Sequence, residues 1–342
     1  MRKIRTYKSI SWLAPKISRR EFLSSAAACA ASLALGRCSS GGGSASRSVV
    51  SITRAESYTP ALVRQQLQTA LEGIGGISDV IKHGRRVAVK VNLTGGSGSS
   101  LLSDSPQNEP YITHSSVAGA LCELLRDAGA TEIFIVEALY DEQSWSNFGY
   151  TEIAAQTGAR LIDLNRTDPY PDYLAQQVNA PLVYDRFTFN RILEEVDAFI
   201  SLAKMKCHTS CGITHSLKNL VGLVPQRLYT LNETDLYRTA LHGAPGEEMY
   251  RLPGAIVDLS QARPIDLSVI DAIVTVEGGE GPWNTAITPI QPGLLIAGKD
   301  PVATDAVATT LMGFNPEIDY PNSPFVHAYN HLALAGSLGL GT

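Results

Sequence analysis

"RRVAVKVNL" (85–93), followed by "THSSVAGALCELLRDAGATEIFIVEA" (113–138), is the stretch on which the fold turns. The first run is short and β-branched, so it reads as a strand, and it leads into the glycine- and serine-rich "TGGSGSSLLSDSP" (94–106). The second opens as a helix over 113–130. Thr113 is placed to cap it, and Val117, Leu121, Leu124 and Leu125 make its apolar stripe. Gly129 stops that helix, and "TEIFIVEA" (131–138) follows as a buried strand. A strand, a helix and a strand in this order form a right-handed parallel unit.

The alternation continues outward from there. "SVVSIT" (48–53), "ARLIDL" (159–164), "DAFISLA" (197–203), "PIDLSVIDAIVTVEGG" (264–279) and "GLLIAG" (293–298) read as further strands. Helices are expected over 60–71 and over 300–313, where Asp300 can cap and Pro301 suits the first helical position. The pattern predicts an α/β protein over 48–342, a single domain with a predominantly parallel sheet and flanking helices.

Hydrophobic residues make up 44% of the 342 and charged residues 18%, which suits a chain with a sizeable core. The net charge of −5 hides an asymmetry. Residues 1–46 carry eight basic groups and one acid, a net +7; the remainder holds 20 basic groups against 32 acids, a net −12. A body of that charge repels phosphate backbones, so no nucleic-acid partner is expected.

The basic segment contains "SRREFLSSAAACAASLALG" (18–36), which sets Arg19 and Arg20 before a modest alanine-rich apolar run. This reads as a twin-arginine export signal over 1–38, with the translocase as its partner and a periplasmic or cell-envelope destination. The apolar run is too short to span a bilayer comfortably, and no transmembrane helix is expected in the mature protein. "LGRC" (35–38) raises lipid anchoring at Cys38, against which Arg37 occupies a position that normally needs a small residue. "SSGGGSAS" (39–46) reads as a flexible linker ending at residue 47. Beyond it only Cys122, Cys207 and Cys211 remain, too few for a disulfide framework.

Motif tests narrow the chemistry. "GSGSSL" (96–101) has leucine where a dinucleotide fingerprint needs its third glycine, and no phosphate-loop ending follows. A nucleophile elbow, a zinc helix and a self-contained iron–sulfur run are likewise missing. What stands out is "LAKMKCHTSCGITHSLKNLVGLVP" (202–225). Cys207, Cys211 and His215 are spaced by four, which on a helix would put them on one face as ligands for a transition metal. Gly212 interrupts such a helix, and plain packing is the alternative.

Lys204, Lys206, Lys218 and His208 gather at a strand end, where open α/β sheets bind ligands; the set suits a small anionic ligand, the alternative being lysines that reach solvent. "VIDAIVTVEGGEGPW" (269–283) supplies Asp271, Glu277 and Glu280, carboxylates for proton transfer or a solvated turn. Lys90 and Asn92 end another strand and would complete the same pocket.

Five segments in order carry a family resemblance: "VAVKVNL" (87–93), 113–138, "DAFISLAKMKCHTSCGITHSLKNLVGLVP" (197–225), "IDLSVIDAIVTVEGGEGPWN" (265–284) and "GLLIAGKDPVATDAVATTLMG" (293–313). Together they resemble the family called domain of unknown function 362. The resemblance implies an α/β fold and a site drawn from Lys90, Asn92, His208, Lys218, Asn219, Asp271, Glu277, Glu280, Asp300 and Asp305. It brings no reaction and no cofactor. Many relatives carry an appended iron–sulfur module that this chain lacks, and the two cysteines lie outside the family's pattern. The combined expectation is an exported enzyme acting on a small anionic metabolite. Lys218 and His208 would hold the anion, and Glu277 or Glu280 would move a proton. The alternatives are an anion- or metal-binding protein without catalysis and an accessory partner of an exported redox system.

Overall fold

In the computed structural model, residues 47–97, 110–235, 237–281, 283–284 and 287–342 are described. The expected export signal, Cys38 and nearly all of the linker lie outside them, as does most of the loop after residue 97. The strands are β1 (Val50–Arg54), β2 (Arg86–Lys90), β3 (Glu132–Glu137), β4 (Arg160–Asp163), β5 (Tyr173–Gln177), β6 (Arg186–Asn190), β7 (Ala198–Lys204), β8 (Lys206–His208), β9 (Gly212–Thr214), β10 (Leu267–Ala272), β11 (Thr275–Glu277), β12 (Thr288–Ile290) and β13 (Leu294–Gly298). The helices that shape the molecule are α1 (Pro60–Gly73), α2 (Ser115–Asp127), α3 (Tyr150–Thr157), α4 (Ser216–Asn219), α5 (Glu248–Ala262), α6 (Pro301–Leu311) and α7 (His331–Ser337).

Seven strands form the main sheet in the order β1-β13-β10-β7-β2-β3-β4. All neighbours from β10 through β4 are parallel, and β13 alone runs the other way, paired antiparallel with both β10 and β1. The α/β class and the largely parallel sheet are therefore as the alternation predicted. From β2 the chain steps to β3 and β4 on one side, then returns to place β7 on β2's other side. The carboxyl ends of β2 and β7 thus flank a topological switch point, where open sheets leave a crevice for ligands.

Both faces of the sheet are covered. On one, Val87, Val89, Ile133, Ile135, Ile200 and Leu202 pack with Val63 and Leu67 of α1 and Leu121 and Leu125 of α2. On the other, Ala88, Phe134, Val136 and Phe199 meet Leu217 of α4, Leu252 and Ile256 of α5 and Leu332 of α7. The one-residue alternation of a strand assigns these sides, so Lys90 emerges on the face of Ala88, towards α4 and α5.

Several boundaries differ from expectation for identifiable reasons. The cap of α2 is His114, whose Nδ1 accepts the Ser116 amide at 3.1 Å. Thr113 is engaged elsewhere: its hydroxyl accepts the Asn92 amide at 3.0 Å and donates to the Leu202 carbonyl at 3.0 Å, stitching the end of β2 to β7. The expected long strand over 264–279 is two strands in two sheets. Asp271 turns the chain by accepting the Ile273 amide at 3.2 Å, and β11 then pairs with β12. The β5–β6 and β8–β9 hairpins and α5, which carries Pro253 within it, were not anticipated. Among the described residues no helix is long and apolar enough to cross a membrane.

Replacing Thr113 by the isosteric valine keeps its volume but leaves two buried backbone groups unpaired. Unfolding in urea is expected to show a loss of roughly 2–3 kcal/mol, and an unchanged midpoint would mean that the stitch is not stabilising.

Candidate functional site

Four lysines are buried at the carboxyl end of the sheet, and three of them are tied down. Lys90 forms an ion pair with Glu137 at 2.9 Å and donates to Asn219 Oδ1 at 3.2 Å and to the Val91 carbonyl at 2.7 Å. Glu137 is anchored in turn by the amides of Leu93 and Ala138. Lys204 pairs with Asp271, its direct neighbour in the parallel register, at 3.0 Å, and donates to the Tyr58 hydroxyl at 2.8 Å. The His114 amide also donates to Asp271, and the His114 ring stacks on Tyr58 with centroids 3.8 Å apart. Lys206 donates to two carbonyls, those of Tyr111 and Glu280, so it fastens the end of one loop to the middle of another.

Lys218 is different. It is only 8% exposed, and its ammonium makes no hydrogen bond or ion pair with any described residue. Burial lowers its pKa from the usual lysine value; Glu280 and Glu137 pull it up, and Arg238 pushes it further down. Burial likewise holds Lys206 well below the normal range and brings Lys90 to about 8 despite Glu137. Arg238 is buried too, donating to the carbonyls of Val224 at 2.8 Å and Ala138 at 2.9 Å, with no carboxylate in contact among the described residues. Among the described residues, Glu137 and Glu280 are the carboxylates whose charge acts on Lys206 and Lys218, and Glu137 acts on Lys90, while Arg238 acts on Asp163.

Three histidines border these groups. Burial, with Lys218 adding to it, keeps His208 well below its usual pKa, His242 at about 4 and His331 at about 3, so all three are neutral at physiological pH. His208 Nδ1 accepts the Ser210 amide at 3.1 Å. His331 is fully buried, and neither ring nitrogen has a partner among the described residues. Glu280 is buried, taking the Thr209 amide and hydroxyl on Oε2 and the Trp283 indole on Oε1 at 2.9 Å.

Asn219 holds the switch point together. Its Oδ1 accepts from Lys90 and Asn92, while its Nδ2 donates to the Lys90 carbonyl at 3.0 Å and Ser201 Oγ at 3.1 Å, spanning β2 and β7. Asp305 reaches from α6 to accept the Ser216 and Leu217 amides, both at 2.8 Å, which fixes the start of α4 and so the position of Lys218. Gly222 presses on the Lys90–Glu137 pair so closely that an added Cβ would collide with both side chains.

The structure therefore brings Lys90, Asn92, His208, Lys218, Asn219 and Glu280 to one end of the sheet, with Asp271 beside them on Lys204. Glu277 is exposed at the end of β11. Asp300 is engaged as the cap of α6, accepting the amides of Val302, Ala303 and Thr342. The cysteine–histidine set corrects the helical premise. Cys207 lies on β8 opposite Ile213 of β9, Cys211 sits in the hairpin turn and His215 follows β9. Cys211 Sγ contacts the Ile213 carbonyl, and His215 Nε2 meets the Met312 sulfur at 3.2 Å. Among the described residues, no three His, Cys, Asp or Glu side chains are grouped to hold a metal ion.

Sequence reasoning missed Glu137, Arg238, His242 and His331. Only Glu137 carried a signal, an acid ending an apolar parallel strand as Lys90 does; the others sit in segments without periodicity.

A family model described as "Domain of unknown function (DUF362)" matches residues 87–310. The thylakoid-associated protein sll1697 of Synechocystis sp. is 29% identical over 271 residues, 78% of this chain and 75% of that protein. A crystal structure of a protein from Thermotoga maritima is 12% identical, with a TM-score of 0.38, and the match covers 76% of this chain and 60% of that one.

Two outcomes test this geometry. Gly222→Ala is expected to destabilise the protein by roughly 3–5 kcal/mol, the scale of a broken buried ion pair, whereas a wild-type melting curve would mean that the pair can shift without cost. Burial raises the Asp305 pKa from 3.8 to about 7, although the two amides oppose it. A folded-state pKa above the unfolded value adds stability that is complete below about 4 and lost as pH rises through about 7. The stability advantage of wild type over Asp305→Asn should therefore shrink across that window, and a pH-independent difference would refute the assignment.

Proposed function

The chain belongs to the domain of unknown function (DUF362) family, and from the geometry of its site we propose that it is an exported enzyme acting on a small anionic metabolite. The observation that carries this reading is Lys218: a buried lysine whose ammonium makes no hydrogen bond or ion pair with any described residue. An unpaired buried charge is costly, and a bound anion removes the cost by supplying the missing partner. His331, whose pKa Lys218 helps to lower, also has neither ring nitrogen partnered among the described residues, which favours a polar occupant over an apolar one.

In this reading Lys218 and Arg238 bind the anion, and neutral His208 donates or accepts one hydrogen bond. Glu280, rather than the exposed Glu277, moves the proton, because it is buried and its charge acts on Lys218, while Glu137 is committed to Lys90. Lys90, Asn92 and Asn219 hold the strand ends in place beneath the ligand. The twin-arginine pair at Arg19 and Arg20 supports export through the translocase, and the thylakoid association of the relative suits a membrane-bordered destination.

Calorimetric titration with phosphate, oxalate and other small anions tests the site. Lys218→Gln should weaken binding of the preferred anion by about tenfold or more, the worth of one charge-assisted contact, without altering the melting temperature greatly. Equal affinity in the variant would remove Lys218 from the site. A ligand always recovered unchanged would make the protein a binder rather than an enzyme.

A further inference from the structure

We propose that Lys218 is a covalent nucleophile, its Nζ condensing with the ketone or aldehyde carbon of a small 2-oxo acid to form an imine. The inference rests on the anion-binding reading of the same pocket and goes beyond it by naming a bond and a substrate class.

The contrast among the buried amines carries it. Lys90 is closed off by Glu137, Asn219 and the Val91 carbonyl, Lys204 by Asp271 and Tyr58, and Lys206 by two carbonyls. Lys218 alone keeps its nitrogen free of any described partner while remaining almost wholly buried. A lysine that served only to hold an anion would duplicate Arg238, whose planar fork suits a carboxylate better and whose charge is permanent. Desolvation and the neighbouring Arg238 lower the Lys218 pKa from the usual lysine value, which enlarges the share of neutral amine, the form that attacks a carbonyl. The cysteines are poorer candidates: burial pushes the Cys207 and Cys211 thiols up to about 12, far from the reactive thiolate.

The charged groups around Lys218 also supply what the substrate class requires. Arg238 offers a cation for the carboxylate that a 2-oxo acid carries beside its carbonyl. Glu280 offers a base and acid whose charge already acts on Lys218. In the step, the Nζ lone pair forms the N–C bond while the carbonyl π pair moves to oxygen. Glu280 takes a proton from the nitrogen and returns it to that oxygen. With one further proton from solvent, the oxygen departs as water and leaves a protonated imine, so no oxidant or reductant is consumed.

The full chain is incubated with glyoxylate, pyruvate or 2-oxoglutarate in the presence of cyanoborohydride, and the product is mapped by peptide mass spectrometry. The expected result is one reduced adduct per chain, located on Lys218, saturable in substrate and suppressed by oxalate. Lys218→Arg, which keeps the charge, should lose the adduct and still bind oxalate in calorimetry. An absence of Lys218 adduct with all three acids, or labelling no greater there than at exposed lysines, overturns the imine. If oxalate still binds wild type in that case, the anion pocket stands without covalent chemistry. If oxalate fails to bind as well, both readings fall. Should the arginine variant not fold, the wild-type map and its oxalate protection decide alone.

Discussion

The ion pair between Lys90 and Glu137 is the contact on which this end of the molecule depends. Both residues end strands that are buried on two faces, so neither charge can reach water. Each therefore needs the other, and each needs further hydrogen bonds to fill its remaining valences. Those bonds come from Asn219, the Val91 carbonyl and the amides of Leu93 and Ala138, which fixes where the chain goes after both strands. Gly222 is part of the same requirement, since only a residue without a side chain lets the turn after α4 lie against the pair.

From that point the neighbouring charges fall into an order. Asp271 satisfies Lys204 across adjacent parallel strands, and carbonyls satisfy Lys206. Asp305 fixes the first turn of α4 from behind, using the two amides that a helix start leaves unpaired. The result is a rigid frame in which the demands of the structural lysines are met locally. Lys218 is held by its backbone while its side chain is left unmatched. A frame of this kind suits a ligand site, because the unmatched group is positioned by neighbours that do not compete for it.

Parts of the site were legible and parts were not. Lys90, Asn92 and Lys204 could be found because they close apolar strands, where a polar residue breaks an otherwise continuous pattern. His208 and Lys218 stood out by crowding within a short run. Spacing by four would set Cys207, Cys211 and His215 on one face only in a helix; Gly212, at a φ of 85°, interrupts it as expected and ends a hairpin turn. Arg238, His242 and His331 could not be seen at all. They come from irregular segments and a short helix, and nothing local marks them as neighbours of a lysine far away in the chain.

Local pattern was enough to decide the class of this protein. Alternating β-branched runs and amphipathic helices can bury their apolar faces only as layers, so periodicity alone implied a sheet with helices on both sides. Composition decided the charge of the body, and the strand ends marked where ligands gather. Only the packed structure decided that β13 runs antiparallel, that Thr113 serves the sheet rather than capping a helix, and which buried lysine has no ion pair among the described residues. Those outcomes depend on competition among distant groups for the same hydrogen bonds and on the cost of burying a charge, quantities that no single segment carries.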